Sequence, residues 1–299
     1  MSLALVLVAG SAEGHLADTA LADARGALAR RGIAAGMPER LGPDAGEMAV
    51  AGGDAPTVRG EATAALAGTG IDVFAVPAEG RRKRLLVADM EATVIENELL
   101  DDMARMIGRA DEVAAITRAA MEGALDFADA LRARVALFAG LPAAALDAAA
   151  RGIRPAAGAA TLVRTMAAHG AATALVSGGF TIFVEPVAAM LGFASAFGNV
   201  LGRTGEGGLT GAVDRLDVTA EGKRVVLERL AADHRIRPAA TLAIGDGAND
   251  IPMLEAAGLA IGVRPKPAVA RAVVNHIVHG DLTAALYAQG YRRAEFATG

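Results

Sequence analysis

The chain has 299 residues, enough for one large domain or two smaller ones. Apolar residues make up 53% of the chain but aromatic residues only 3%, so Ala, Val and Leu must build the core. Cysteine is absent, which excludes disulfides and thiolate metal sites and fits a reducing environment. The net charge of −5 argues against a nucleic-acid partner, for which a basic surface is expected.

Membrane and export signals are not expected either. No uninterrupted apolar segment reaches membrane-spanning length, so we expect no membrane partner. Residues 1–10 are apolar, but no basic region precedes them and no convincing cleavage site follows, so a signal peptide is not expected. These features together favour a cytoplasmic location.

Residues 1–80 are predicted to form a small separate domain. The pattern predicts a strand, a helix, a strand, a helix and a strand, in that order, at residues 3–9, 16–31, 47–51, 61–67 and 71–76. A weak further strand is expected near residues 36–41. This order indicates an α+β sandwich, and nothing in it resembles a catalytic constellation.

A linker at residues 77–84 follows and carries the basic run Arg81-Arg82-Lys83-Arg84. A basic run is sometimes a nucleic-acid patch. Here a solvated linker is the favoured interpretation.

The second domain is predicted at residues 81–299, where strands alternate with helices as in an α/β fold with a parallel sheet. Its strand candidates are residues 85–88, 173–177, 241–244 and 259–263. The long gap after the first strand contains helical patterns at residues 96–107, 111–121, 126–138 and 142–151. We expect these helices to form an inserted bundle over the carboxyl end of the sheet, where it could act as a lid.

Two carboxylates, Asp89 and Glu91, follow the apolar run at residues 85–88. If the run is a strand, both side chains leave it on the same side. The carboxyl ends of strands in open α/β sheets are where ligands bind. One carboxylate could attack a phosphoryl group while the other handles a proton, although this spacing alone also occurs by chance.

Two further motifs suit a phosphate group. The second strand ends in Ser177-Gly178-Gly179, whose hydroxyl and amides would form either a phosphate cradle or a plain tight turn. Lys223 lies at the start of a helical segment, where a positive charge opposes the helix dipole. A phosphate partner would explain that position, although a lone lysine there is usually solvated.

The third strand is followed by Gly245-Asp246-Gly247-Ala248-Asn249-Asp250. Two acids and an amide in a glycine-loosened loop suit a hard, oxygen-ligated cation such as Mg²⁺. The alternative is a turn in which an acid caps the following helix. The density of carboxylates after an apolar strand favours the metal site.

Taken together, Asp89-Met-Glu-Ala-Thr, Ser177-Gly-Gly, Lys223 and Gly245-Asp-Gly-Ala-Asn-Asp resemble the four successive motifs of the haloacid dehalogenase (HAD) superfamily of phosphotransferases. Within that superfamily, residues 85–296 are most similar to the phosphoserine phosphatase family. The resemblance implies a Rossmann-like parallel sheet with a helical-bundle cap inserted at about residues 97–154, after a small ACT-like N-terminal domain. It further implies Mg²⁺-dependent hydrolysis of O-phospho-L-serine through an aspartyl-phosphate, the last step of serine biosynthesis.

The resemblance also implies a role for each motif residue. Asp89 is the nucleophile, Glu91 protonates the leaving oxygen and then activates water, and Lys223 offsets negative charge. The implied metal ligands are Asp89, Asp246 and the backbone carbonyl of Glu91, with Asn249 and Asp250 in support. The implied phosphate-side contacts are Ser177, Gly178 and Asn249.

Four residues of the inserted helices complete the implied substrate site. Glu98 and Arg134 would grip the ammonium and carboxylate of the substrate, since an arginine fork suits a carboxylate. Met121 and Phe127 would exclude water. Without the resemblance, helix core is the plainer interpretation of Met121 and Phe127, and a solvated helix face that of Glu98 and Arg134.

The opening motif departs from the family pattern. The family has aspartate at the second acid and usually serine after it, where this chain has Glu91 and Ala92. Glutamate is one methylene longer, about 1.5 Å, and a misplacement of about 1 Å can cost roughly a hundredfold in rate. We expect Glu91 to act as the acid and base nonetheless, because the chemistry needs only a carboxyl group.

The sequence leaves two rival hypotheses open. The enzyme could pass the phosphoryl group to another alcohol or hydrolyse another small phosphomonoester. Alternatively, Glu91 could mark an impaired site in a phosphoserine-binding regulator. For the N-terminal domain, the resemblance leaves an amino-acid sensor or a homodimer surface open.

Two other features are assigned no chemistry. The five histidines do not form a metal cluster in the sequence, and His276 and His279 are expected to be structural. The glycine-rich stretch at residues 202–211 lacks the dinucleotide fingerprint, and residues 209–213 predict one arm of a hairpin.

Overall fold

The computed structural model of the chain describes residues 2–10, 14–121 and 124–298, without the side chain of Met121. Two sheets organise these residues, one of five strands and one of seven. Across the described residues, no helix has both the length and the apolar composition needed to cross a bilayer.

The first sheet is antiparallel and built from the N-terminal residues. Its elements are β1 (Leu3–Ala9), α1 (Asp18–Arg30), β2 (Ala34–Ala35), β3 (Glu39–Arg40), β4 (Ala45–Ala51), α2 (Ala55–Ala65) and β5 (Ile71–Pro77). The strand order is β2-β4-β1-β5, with β3 beside β4. Successive side chains of β1 point to opposite faces. Leu5 and Leu7 pack with the two helices, whereas Val6 and Val8 join the core of the second sheet.

The second sheet and its helices comprise the rest of the chain. Its elements are β6 (Leu85–Ala88), α3 (Leu99–Met106), α4 (Ala110–Met121), α5 (Phe127–Ala136), α6 (Ala143–Arg151), α7 (Ala159–Ala168), β7 (Ala172–Phe180), α8 (Thr181–Leu191), β8 (Ser195–Arg203), β9 (Leu209–Arg215), α9 (Ala220–Asp233), β10 (Thr241–Gly245), α10 (Ile251–Ala256), β11 (Leu259–Val263), α11 (Pro267–Ala272), β12 (Asn275–Ile277) and α12 (Ala284–Ala288).

The predicted parallel α/β fold is confirmed. The strand order is β12-β11-β10-β6-β7-β8-β9, and every neighbouring pair is parallel except β8 and β9. Strands β6 and β10 are buried along their whole length, as expected of apolar runs covered on both faces. Because β6 lies between β10 and β7, the residue after β6 reaches the middle of the carboxyl edge.

Helices α3 to α7 lie between β6 and β7, and α3 to α6 fall in the region where the sequence predicted helical segments. The first of them begins at Leu99 rather than at residue 96, because the chain before it is extended. Ile95 forms a bridge with Pro155, and the Glu96 amide donates to the Arg154 carbonyl at 2.9 Å. The β8–β9 hairpin contacts the other end of the insertion, where the Gly140 amide donates to the Leu209 carbonyl at 2.9 Å.

The N-terminal sheet packs on the end of the chain. Phe74 of β5 belongs to the same apolar core as Leu286 and Tyr287 of α12. The Asp72 carboxylate accepts backbone N–H groups from residues 278–280, at distances of 2.8 to 3.3 Å. These contacts join the two sheets through buried groups from both.

The expectation of a solvated basic linker is wrong for two of its residues. Arg81 makes a two-pronged ion pair with Glu47 at 2.6 and 2.8 Å. Lys83 is buried, and its ammonium donates to the carbonyls of Gly80 and Ala239 at 3.0 and 2.9 Å. The run therefore fastens the linker to both parts of the molecule.

Candidate active site

Asp89 follows β6 and is buried at the carboxyl edge of the sheet, with 4% of its surface exposed. The Lys223 ammonium donates to its Oδ1 at 2.5 Å. Burial and the neighbouring Asp250 carboxylate raise the pKa of Asp89, whereas Lys223 acts in the opposite direction. The carboxylate is thus shielded from water but held by one ammonium group.

Lys223 is buried in the first turn of α9, so it is not the solvated lysine of the plainer interpretation. Its ammonium also donates to Asp250 Oδ1 at 2.6 Å. Burial lowers the pKa of Lys223, but the carboxylates of Asp250 and Asp89 raise it above its usual value. The side chain is therefore a fixed positive charge between two acids.

Asp250 organises the loop after β10. Its Oδ2 accepts the backbone N–H groups of Asp246 and Gly247 at 3.0 and 3.1 Å, while its Oδ1 is taken by Lys223. A Cβ at Gly245 would lie 2.5 Å from the Asp250 carboxyl carbon, so only glycine fits there. The interpretation of this loop as a cap on the following helix is wrong, since Asp250 binds amides that precede it and makes no side-chain bond to the start of α10.

The carboxylates of Asp89, Asp246 and Asp250 lie within 4.8 Å of one another. Two ammonium groups contact these three carboxylates, since the buried Lys223 binds Asp89 and Asp250 and the more exposed Lys266 lies 2.9 Å from Asp246, so one negative charge remains in excess. A hard divalent cation with oxygen ligands would neutralise that excess. Both Asp250 oxygens accept hydrogen bonds, whereas ammonium groups hold only Oδ1 of Asp89 and Oδ2 of Asp246, so each of these two acids has a second oxygen to offer and the residues present fit Mg²⁺.

Glu91 lies in the turn after β6 and reaches toward the loop after β7. Its Oε1 accepts the backbone N–H of Leu99 at 2.6 Å, at the start of α3. A Cβ on Gly179 would be 3.3 Å from its Oε2, which places the second oxygen beside the glycine loop. Burial, followed by the charge of Glu98, raises the pKa of Glu91 to about 7, against the hydrogen bond from Leu99.

Ser177 and Gly178 lie at the end of β7. The Ser177 hydroxyl accepts the Gly179 N–H at 2.9 Å. A Cβ on Gly178 would lie 3.2 Å from the ring of Phe127, so the first residue of α5 closes over this loop. The loop therefore faces the inserted helices, although Gly178 is only partly buried.

Asn199 is a residue that the sequence reasoning missed. It is fully buried in β8, and its amide donates to the carbonyls of Gly178 and Val218 at 2.9 and 3.1 Å. Its Oδ1 accepts the Val218 N–H at 2.8 Å. It therefore ties the glycine loop to the segment that leads into α9 and Lys223. An asparagine inside a strand was the available signal.

The other candidates lie around the edge of this site. Glu98 is the N-cap residue of α3, and its carboxylate lies 3.4 Å from the Lys266 ammonium. Arg134 is half-buried in α5, and its charge acts on Glu91. Asn249 is half-buried beside Gly247. The Met121 side chain lies outside the described residues.

Residues 86–255 match the family model for haloacid dehalogenase-like hydrolases, and the chain belongs to that family. A phosphoserine phosphatase from Streptomyces coelicolor is 40% identical over 251 residues, which cover 83% of this chain and 61% of that protein. The chain thus spans about three fifths of that relative's length.

Two solved structures extend the likeness. A probable phosphoserine phosphatase from Vibrio cholerae matches with a TM-score of 0.80 and 26% identity, over 98% of this chain and 88% of the other. A phosphoserine phosphatase described as a phospho-aspartyl intermediate analogue matches with a TM-score of 0.64 and 38% identity. That match covers 69% of this chain and 98% of the other.

Proposed function

We propose that this protein hydrolyses O-phospho-L-serine to L-serine and phosphate, the last step of serine biosynthesis. The observation that carries the proposal is the buried Asp89 carboxylate, held at 2.5 Å by Lys223 with Glu91 two residues away. The names of the relatives supply the substrate, and one of them is described as a phospho-aspartyl analogue.

Asp89 is the proposed nucleophile. Its carboxylate attacks phosphorus, the bond to the seryl oxygen breaks, and an aspartyl-phosphate forms. Lys223 lies against the same carboxylate and balances the charge that moves onto the transferred group. Ser177, Gly178 and Asn249 are proposed to bind the phosphate oxygens from the neighbouring loops.

Glu91 is proposed to act twice. With a pKa of about 7, it is partly protonated near neutral pH and can give a proton to the seryl oxygen as that oxygen leaves. The resulting carboxylate then takes a proton from the water that hydrolyses the aspartyl-phosphate. The hydrogen bond from Leu99 fixes one oxygen and leaves the other facing the glycine loop.

Mg²⁺ is the proposed metal, held by Asp89, Asp246 and the backbone carbonyl of Glu91. When bound, it supplies positive charge that screens the phosphate from the attacking carboxylate. Asp250 supports the site by fixing the loop that carries Asp246.

The inserted helices are proposed to form the substrate cap, at about residues 97–154. Glu98 would take the substrate ammonium and Arg134 its carboxylate, and the charges of both side chains act on Glu91. Phe127, and Met121 with it, would exclude water from the phosphate loop. Specificity for a phosphorylated amino acid would come from these opposite charges.

The boundary between the two domains is placed near residue 80, with the HAD domain at residues 81–299. The N-terminal sheet with two helices on one face is proposed to be ACT-like. Its other face packs on α12, which supports a role coupled to the HAD domain. An amino-acid sensor and a homodimer surface remain the two candidate roles.

The direct test is phosphate release from O-phospho-L-serine with and without Mg²⁺, alongside other small phosphomonoesters and acceptor alcohols. We expect Mg²⁺-dependent release from phosphoserine and none from an Asp89→Asn variant. Good activity on a different monoester with none on phosphoserine would overturn the substrate, and tight binding without turnover would indicate a regulator.

A further inference from the structure

Lysine is rare in this chain, and its positions are informative. Of 29 basic residues only three are lysines, namely Lys83, Lys223 and Lys266. Lysine offers a compact ammonium, whereas arginine offers a broad planar fork. Lys83 and Lys223 are buried against oxygen acceptors. Lys266 has no part in the reaction proposed above, yet its ammonium also lies at the site.

The backbone around Lys266 is fixed beside the metal loop. Lys266 follows β11 and stands between Pro265 and Pro267, whose rings restrict the chain. Its N–H donates to the Asp246 carbonyl at 2.8 Å. The side chain therefore starts from a point tied to the residue whose carboxylate it contacts.

The Lys266 ammonium joins two acids that the proposed reaction uses separately. It lies 2.9 Å from Asp246 Oδ2 and 3.4 Å from Glu98 Oε1. Asp246 belongs to the sheet edge, whereas Glu98 begins the first inserted helix. The Lys266 side chain is 57% exposed, so it can move out into water when other cations arrive.

The charges of the site indicate what Lys266 does before a metal ion binds. Lys223 contacts Asp89 and Asp250, so Asp246 is left to Lys266. We propose that Lys266 is a placeholder cation, whose ammonium holds the oxygens that the metal ion and the substrate ammonium take. This proposal about Lys266 depends on the proposed function only because that function assigns Asp246 to the metal ion and Glu98 to the substrate ammonium.

Two consequences follow from this competition. Lys266 stabilises the metal-free site, and it weakens Mg²⁺ binding because a cation at Asp246 is repelled by the ammonium that lies 2.9 Å from the same carboxylate. Since one ammonium holds both acids, its departure from Asp246 also frees Glu98. Metal binding thereby prepares the site for a substrate ammonium without any contact between the two ligands.

The first experiment measures Mg²⁺ binding by calorimetry in the absence of substrate. Lys266→Met removes the charge at similar length, and Arg271→Met removes the same charge from the exposed end of α11. We expect Lys266→Met to bind Mg²⁺ about fivefold more tightly and to melt at a lower temperature without metal. Arg271→Met should match the parent protein. Equal or weaker Mg²⁺ binding by Lys266→Met would overturn the proposal.

The second experiment needs no variant. The unaltered protein is acetylated briefly with acetic anhydride, with and without MgCl₂, and the peptide containing Lys266 is quantified by mass spectrometry. We expect Mg²⁺ to accelerate modification of Lys266 and to leave that of the buried Lys83 unchanged. Unchanged or slower modification of Lys266 would contradict displacement. Neither experiment depends on turnover, so a failed phosphoserine assay would be a separate result.

Discussion

The Lys223 ammonium lies 2.5 Å from Asp89 Oδ1, with both side chains almost fully buried. The same ammonium lies 2.6 Å from Asp250 Oδ1. One positive charge thus serves two buried carboxylates, while Asp246 adds a third nearby. A nucleophile in such surroundings is shielded from water, but its charge costs folding free energy.

Replacing Asp89 with Asn should therefore separate activity from stability. The amide cannot form an acyl phosphate, so turnover should fall by at least about three orders of magnitude. Burial and Asp250 disfavour the charged form of Asp89. Without metal, the free energy of unfolding of the variant should therefore be about 1 kcal/mol higher than that of the parent protein. Denaturant titration in EDTA measures this stability.

The matched contrast is Lys223→Met, which leaves two buried carboxylates without their ammonium. Breaking a buried pair in this way costs about 3–5 kcal/mol. A stability loss in Asp89→Asn, comparable to that of Lys223→Met, would show that the Asp89 charge supports the fold.

The dual role of Glu91 predicts a dependence on the leaving group. In Glu91→Gln, release of serine should slow by about 10²–10⁴-fold, because the seryl oxygen leaves unprotonated. The phenol leaving group of an aryl phosphate needs little protonation. Formation of the aspartyl-phosphate should therefore stay fast with that substrate, whereas its hydrolysis should be slow. Stopped-flow measurement should show a burst of phenol followed by slow turnover.

Glu91→Asp is the control for position. The shorter side chain cannot keep both the Leu99 hydrogen bond and the approach to Gly179, so we expect roughly a hundredfold loss with either substrate. In Glu91→Gln, equal losses in the rate of the phosphorylation step for serine and aryl leaving groups would argue against an acid role.

Much of this architecture was predictable because its signals are local. The apolar run at β6 and the acids after it are contiguous in sequence, and β6 and β11 have the predicted bounds. Strand β8 was missed because Gly198 and Asn199 interrupt its apolar pattern. Its place is set by pairing with β7 and β9, which no short window of sequence contains.

The missed site residues share one property, namely that their partners are distant in sequence. Asn199 binds Gly178 and Val218, and Lys266 reaches Glu98, 168 residues away. Position along the chain does not reveal such contacts. The side-chain contacts of Arg81 and Lys83 were not predicted for the same reason, since their partners lie in other elements.

Asn199 is predicted to position the phosphate loop. Asn199→Asp keeps the acceptor for the Val218 N–H but removes both donors and buries a charge facing two carbonyls. We expect a loss of at least about 2 kcal/mol in unfolding free energy. We also expect a higher KM for phosphoserine, because Gly178 is released. An unchanged KM in a folded variant would show that the Asn199 hydrogen bonds to Gly178 and Val218 have only a structural role.

Ala92 occupies a left-handed backbone conformation, with φ of 50°. An L-residue other than glycine pays about 1–2 kcal/mol there. Ala92→Gly should therefore raise the free energy of unfolding by about 1 kcal/mol. Ala64→Gly, in the exposed part of α2, should lower it by up to about 1 kcal/mol. Chemical denaturation of both variants provides the comparison, and destabilisation of both would show that the turn at Ala92 is not strained.

His276 makes the contact between the two sheets sensitive to acid. Its Nδ1 lies 3.1 Å from Arg59 Nη2, and its Nε2 lies 3.0 Å from the Val273 carbonyl. A neutral ring satisfies both contacts, accepting from Arg59 and donating to Val273. Burial, followed by the Arg59 charge, lowers the pKa of His276, although the Val273 hydrogen bond and the Asp72 charge oppose this effect.

Stability should therefore fall as the pH drops below the usual histidine pKa of about 6.5. Below that pH the unfolded chain binds a proton that the folded chain resists, so acidification favours unfolding. His276→Gln should flatten the dependence of the thermal midpoint on pH between about 5.5 and 7.5. His234→Gln, at an exposed position, should retain the parent slope. If the two variants follow the same slope, the acid sensitivity originates elsewhere, and the Arg59–His276 contact is only a packing feature of the junction.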